Sequence, residues 1–223
     1  MNTDAAPVVV ETRPETTAPV AQRDQRQPSR LIATGLAIAL AAGALILLGI
    51  LDLRRRPPPR LLLSAGHAWD YVRAVEREVS QAKRRVWVAV YVARLPDEPD
   101  DQHPVIILFK ALVAAHHRGV DVQICLDRSM EWDEPEVMDP KHEAPAAWLR
   151  DHGLTVIEDD LERTTHAKVV LIDDHTVILG SHNWTGSALM RNREVSVLIR
   201  DAALVTEIET EVFEPIVRAL AVP

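Results

Sequence analysis

The chain has 223 residues, with 25 Lys+Arg against 33 Asp+Glu, nine His and a single Cys. One cysteine excludes an internal disulfide and any cysteine-rich zinc site. Charge is unevenly divided, +3 over residues 1–60 and −11 over 61–223. That balance argues against a general nucleic-acid binder, which presents a basic face to phosphate.

Residues 1–30 mix Pro7, Pro14, Pro19 and Pro28 with Thr, Gln and scattered charge, without an apolar period. Such a segment buries too little surface to offset its chain entropy and is expected to be disordered. Residues 31–50 then run without a charge, bracketed by Arg30 and Arg54-Arg55-Arg56. Twenty helical residues cover about 30 Å, the depth of a bilayer's hydrocarbon core, so a transmembrane helix over 31–51 is expected. Four arginines lie in residues 11–30 and four in 51–70, but the nearest ten residues hold three against four. This single-pass arrangement slightly favours a cytoplasmic domain. Residues 52–60, with Pro57-Pro58-Pro59 among arginines, read as a stiff linker suited to a lipid headgroup surface.

Residues 61–223 suffice for one domain with its own core. Val72, Val75, Val79 and Ala82 share a helical face, with Ser64 placed to cap its start. Val86–Val92 is a short β-branched and aromatic run typical of a buried strand. Pro104 opens a helix that Gly119 closes. Strands follow at Val120–Leu126 and, after a helix ending at Gly153, at Leu154–Ile157. Val169–Ile172 and Val177–Leu179 form two strands joined by a tight turn at Asp173-Asp174-His175. Glu194–Ile199 is a further strand, and Asp201 caps the last helix. The alternation predicts an α/β sandwich whose mixed, mostly parallel sheet is flanked by helices. The acidic segments 96–103 and 128–143 read as loops. The second follows a strand's carboxyl end, where such sheets place ligands.

The chemistry concentrates at His166-Ala-Lys168-Val-Val-Leu-Ile-Asp173. Residues two apart on a strand leave the same face, which sets an imidazole beside an ammonium. The imidazole can attack phosphorus or relay a proton near neutral pH, while the ammonium offers charge to phosphate oxygens without a metal. The chain has 4 Lys against 21 Arg, so a lysine here points to a need for a compact charge. Asp173 should face away and serve the turn. Ser181 and Asn183, again two apart, can converge on phosphate, and Gly180 permits close backbone approach. Glu194 could hold the far nitrogen of His166 if their strands are neighbours. No histidine outside this motif has ligand-like spacing, so neither metal nor cofactor is expected. His182 should point away from Ser181 and Asn183.

Chance supplies roughly 0.01 matches to this His-x-Lys-x4-Asp spacing in such a chain. With Gly180-Ser181-His182-Asn183 following, and then Asn192-Arg193-Glu194, residues 61–215 resemble the phospholipase D superfamily. A second copy of the motif is lacking, which resembles the small subgroup of bacterial endonucleases and mitochondrial cardiolipin hydrolases. That resemblance implies a homodimer with a shared site and a phosphohistidine formed by His166. It also implies a second His166 as acid and then base, and Lys168, Ser181 and Asn183 holding phosphate. The expected activity is a phospholipid phosphodiesterase at a membrane. A nuclease with the same site and a silent membrane scaffold are the alternatives.

Overall fold

The computed structural model describes residues 34–47, 57–64, 69–98, 100–128, 140–159 and 163–219. The chain divides into two compact units, Met1–Leu53 and Arg54–Pro223. In the first, residues 34–47 form helix α1. Residues 31–33 and 48–51 of the expected span lie outside the described residues, as do 1–30, 52–56 and most of the 128–143 loop. Among the described residues, no helix is long and apolar enough to cross a membrane.

The second unit is built on a seven-stranded sheet in the order β1-β7-β6-β5-β2-β3-β4. The strands are β1 (Arg60–Leu63), β2 (Arg85–Val90), β3 (Asp121–Leu126), β4 (Thr155–Glu158), β5 (Lys168–Ile172), β6 (Thr176–Gly180) and β7 (Val195–Arg200). Only β2/β3 and β3/β4 pair in parallel; β1/β7, β7/β6, β6/β5 and β5/β2 are antiparallel. The sheet is therefore mixed but not mostly parallel. The reason is local: the turn at 173–175 folds β6 directly back on β5, with no crossover helix to return the chain in the same sense.

Side chains alternate across the sheet as the period of two requires. Val86, Val88 and Val90 of β2, with Val170 and Ile172 of β5, face one core layer. It is covered by α2 (Asp70–Gln81), α3 (Pro104–His117), α4 (Glu143–Asp151) and α5 (Gly186–Met190). Ala89, Val169, Leu171 and Val177 face the other layer, with Val205, Phe213 and Ile216. These three come from α6 (Ala202–Ile208), a π-helical turn (Glu209–Phe213) and α7 (Glu214–Ala219).

Capping explains several boundaries. His103 Nδ1 accepts the Val105 N–H at 3.3 Å at the start of α3, and Asp201 Oδ1 accepts from Ala203 N at 2.8 Å at the start of α6. Ser64 is not the cap of α2. That helix begins six residues later, after Trp69 in the left-handed region at φ 71°. The Ser64 hydroxyl instead donates to Asn192 O at 2.5 Å and accepts from Glu194 N at 2.9 Å.

Candidate active site

Lys168 opens β5 opposite Val90 of β2, and Tyr91 N donates to Ala167 O at 2.9 Å, continuing the pairing by one residue. His166 sits just ahead of the strand rather than in it. The register brings Tyr91 beneath the motif. Its ring centroid lies 4.3 Å from that of His166. The Lys168 and Lys141 ammoniums stand 4.8 and 4.7 Å from the same ring, within cation–π range. Lys168 Nζ donates to His166 O at 2.7 Å and stands 3.1 Å from His166 Nδ1. Imidazole and ammonium are thus side by side. Burial holds the Lys168 ammonium below the usual lysine range, opposed by the charges of Glu194 and Asp127.

Asp127, just past β3, anchors the rest of this end. Its carboxylate accepts from Lys141 Nζ at 2.8 Å and from Thr165 N at 2.7 Å, immediately before His166. His142 accepts the Ala93 N–H at Nε2, 3.1 Å, and donates from Nδ1 to Asp127 O at 2.8 Å. The end of the acidic segment is therefore fastened to the stretch just after β2 that carries Tyr91. Sequence reasoning passed over Tyr91, Asp127, Lys141 and His142. The available signals were Asp127's place at a strand's carboxyl end and the scarcity of lysine, which marks Lys141 as it marked Lys168.

The second motif segment lies across β6 and β7. A Cβ on Gly180 would stand 2.3 Å from Val195 O and 2.4 Å from Ser196 Cα, so only glycine fits. Ser181 N then donates to Val195 O at 2.9 Å, and Val195 N returns a bond to Ser181 Oγ at 3.0 Å. The Ser181 hydroxyl donates to the Glu194 carboxylate, whose other oxygen accepts from Asn192 Nδ2 at 2.9 Å. Glu194 therefore holds Ser181 and Asn192, and among the described residues it makes no hydrogen bond to His166. The expected pairing fails because β7 neighbours β6 and β1, leaving β6 between Glu194 and the strand of the motif. Asn183 spends its carbonyl oxygen on Val92 N at 3.2 Å. Ser181 and Asn183 are thus fixed by the fold before any ligand arrives, and the serine hydrogen faces a carboxylate.

Asp173 lies at the opposite end of β5, left-handed at φ 52°. Its Oδ1 accepts from Arg84 N at 2.8 Å and Lys83 N at 3.1 Å, closing the turn onto the start of β2. His182 points into the core, stacked on Tyr71 with centroids 4.2 Å apart and bonded through Nδ1 to Ser196 Oγ at 2.8 Å. Burial pushes its pKa down to about 4, against the pull of Glu194.

A cavity of about 500 Å3 opens beside His166, between Asp159, Arg163 and Thr165 on one side and Glu211 and Ile216 on the other. Glu211 belongs to the π-helical turn.

The sequence matches the family described as "Cardiolipin synthase, PLD-like domain" over residues 75–215. A phospholipase D of Rickettsia bellii is 37% identical over 98 residues, 44% of this chain and 45% of that protein. A mitochondrial cardiolipin hydrolase of Xenopus tropicalis is 30% identical over 107 residues, 48% of this chain and 47% of that protein. The chain spans about half the length of these relatives. Among solved structures, the phospholipase D family member Nuc of Salmonella typhimurium superposes with a TM-score of 0.52 and 25% identity, over 68% of this chain and 90% of that one. The family match extends across both motif segments and strands β2 to β7, and the chain belongs to the phospholipase D superfamily.

Proposed function

We propose that the chain is a membrane-anchored phosphodiesterase that hydrolyses phospholipid through a phosphohistidine at His166, working as a homodimer. The observation that carries this reading is the Lys168 ammonium 3.1 Å from His166 Nδ1, both against the ring of Tyr91. At rest Lys168 donates to the imidazole. A bound phosphate offers it better acceptors, so the ammonium turns to the equatorial oxygens and leaves His166 free as a nucleophile. His166 attacks phosphorus, the bond to the headgroup alcohol breaks, and the partner's His166 gives the leaving oxygen its proton. The partner's imidazole then takes a proton from water. The water oxygen displaces His166, leaving phosphatidate and the free enzyme. Lys168 supplies the charge that a metal would otherwise bring.

The lipid assignment is supported by the charge-free run at 31–50, by the net −11 of residues 61–223 and by the names of the relatives above. A membrane anchor raises the effective concentration of lipid without a basic surface. A nuclease with the same site is the second reading, favoured by the match to Nuc over 90% of that chain. The test is the purified full chain in EDTA with labelled phospholipid vesicles and a labelled oligonucleotide in parallel. Lipid hydrolysis, absent in His166→Ala, is expected. Cleavage of the oligonucleotide alone selects the nuclease, and dependence on added divalent metal overturns the mechanism.

A further inference from the structure

His166 precedes β5, so the ladder that seats Lys168 does not by itself seat the histidine. Its amide donates to Thr164 O at 3.1 Å, closing a tight turn centred on Thr165. The placement of the imidazole therefore depends on what holds Thr165. Thr165 N donates to Asp127 Oδ1 at 2.7 Å, and its hydroxyl donates to Asp159 Oδ2. Both aspartates stand just past the carboxyl ends of neighbouring parallel strands, β3 and β4. Asp159 N donates to Leu126 O at 2.9 Å, which ties the two ends together.

Asp127 is fixed on three sides. Its backbone carbonyl accepts from His142 Nδ1 at 2.8 Å, one carboxylate oxygen takes the Thr165 amide, and the other accepts from Lys141 Nζ at 2.8 Å. The carboxylate is fully buried, and the Lys141 side chain is 6% exposed. A charge at that depth is strongly destabilising unless an opposite charge meets it, and the ammonium supplies one. Lys141 thus has a task that needs no substrate. An amide held by so rigid an acceptor has little freedom, and His166 is the next residue in the chain. Displacement at phosphorus confines the attacking nitrogen to a narrow range of distance and angle, so a small backbone shift at 166 is felt in the rate.

We propose that Asp127 is a positioning residue for the reaction. Through the Thr165 amide it holds the backbone of His166 where the imidazole can reach phosphorus in line, while Lys141 compensates the buried carboxylate and does not touch substrate. This rests on His166 as the nucleophile, the reading given above.

The test uses the full chain with labelled phospholipid vesicles and a labelled oligonucleotide in parallel, and reads kcat and KM separately. Two double variants remove both buried charges and differ only in the acceptor. Asp127→Asn with Lys141→Met keeps an oxygen for the Thr165 amide, whereas Asp127→Ala with Lys141→Met leaves that amide unpaired. The Ala/Met double should lose about 10–100-fold in kcat per folded molecule with KM unchanged, and the Asn/Met double should recover most of that loss. If the Ala/Met double does not fold, Asp127→Glu serves, because it keeps the charge but moves the acceptor by one methylene. Its kcat should fall about tenfold or more, again at constant KM. Equal kcat in the two doubles, or wild-type kcat in Asp127→Glu, overturns the positioning role alone. A loss carried by KM overturns it too, since it would put the pair on the substrate. Undiminished activity in His166→Ala, or cleavage of neither substrate by wild type, overturns the reading of His166 and the positioning role with it.

Discussion

Tyr91 lies against His166 with ring centroids 4.3 Å apart, and it reaches that position because Val90 pairs with Lys168 across the β2/β5 ladder. The ring therefore sets both motif side chains at once. An aromatic pair and a cation–π contact are each worth about 0.5–1.5 kcal/mol. Tyr91→Ala should lower kcat by about 10–100-fold with the fold intact by circular dichroism, and Tyr91→Phe should stay near wild type. An equal loss in Tyr91→Phe would assign the role to the hydroxyl.

Lys168 should show in the pH profile. Its ammonium titrates below the usual lysine range because burial disfavours the charge. Activity that needs the ammonium is lost as pH rises through that lowered value, earlier than for an ordinary lysine. Stability moves the other way. Between the lowered native value and the ordinary unfolded one, the unfolded chain binds more protons, so this contribution grows with pH. Rates and unfolding midpoints from pH 8 upward test both slopes. In Lys168→Arg the alkaline limb should vanish and the rate fall about 10²–10³-fold, as for loss of one transition-state donor.

Gly180→Ala should cost about 1–3 kcal/mol or prevent folding, because the new methyl meets the backbone of Val195 and Ser196 rather than a side chain that can turn aside. Thermal unfolding gives the cost. A variant as stable as wild type would show that β6 and β7 can separate at this end.

His182 should make the domain acid-sensitive without contributing chemistry. Its native pKa of about 4 lies below the ordinary histidine value. Between those values the unfolded chain holds the extra proton, so stability falls as pH drops from about 6.5 toward 4. His182→Gln should flatten that slope whatever it does to the absolute midpoint. A slope that survives the substitution would place the titration elsewhere.

Mixing subunits tests the shared site. Random pairing of wild type with His166→Ala at equal levels makes about one quarter wild-type dimers. Only those hold both nucleophile and acid, so activity per dimer should fall to about a quarter. A fall to one half would mean that each chain works alone.

The motif was legible because its order is local. An offset of two placed Lys168 beside His166, and the 173–175 turn made β5 and β6 a hairpin. What stayed hidden depends on which strands lie side by side. Glu194 was assigned to His166 on the guess that their strands touch, yet β6 separates them. Tyr91 looked like one more apolar strand residue, since its place under the motif follows from the register Val90↔Lys168. β1 was missed because Leu61–Leu63 sits directly behind three prolines and has no visible partner until β7 is built. The same blindness to pairing produced the mostly parallel sheet.

β1 also sets an order of events. It pairs with β7, and Ser64 at its end clasps Asn192 and Glu194, residues more than half the chain away. In vectorial synthesis, this strand emerges before its partner has been made. The loop between them is long, and contacts across such loops form slowly. The clasp around Glu194 therefore closes only after β7 has been made, and a nascent chain that already contains His166 and Lys168 still lacks the carboxylate's mooring. Completion of this end of the sheet thus waits on the strand made last, whose partner was among the first.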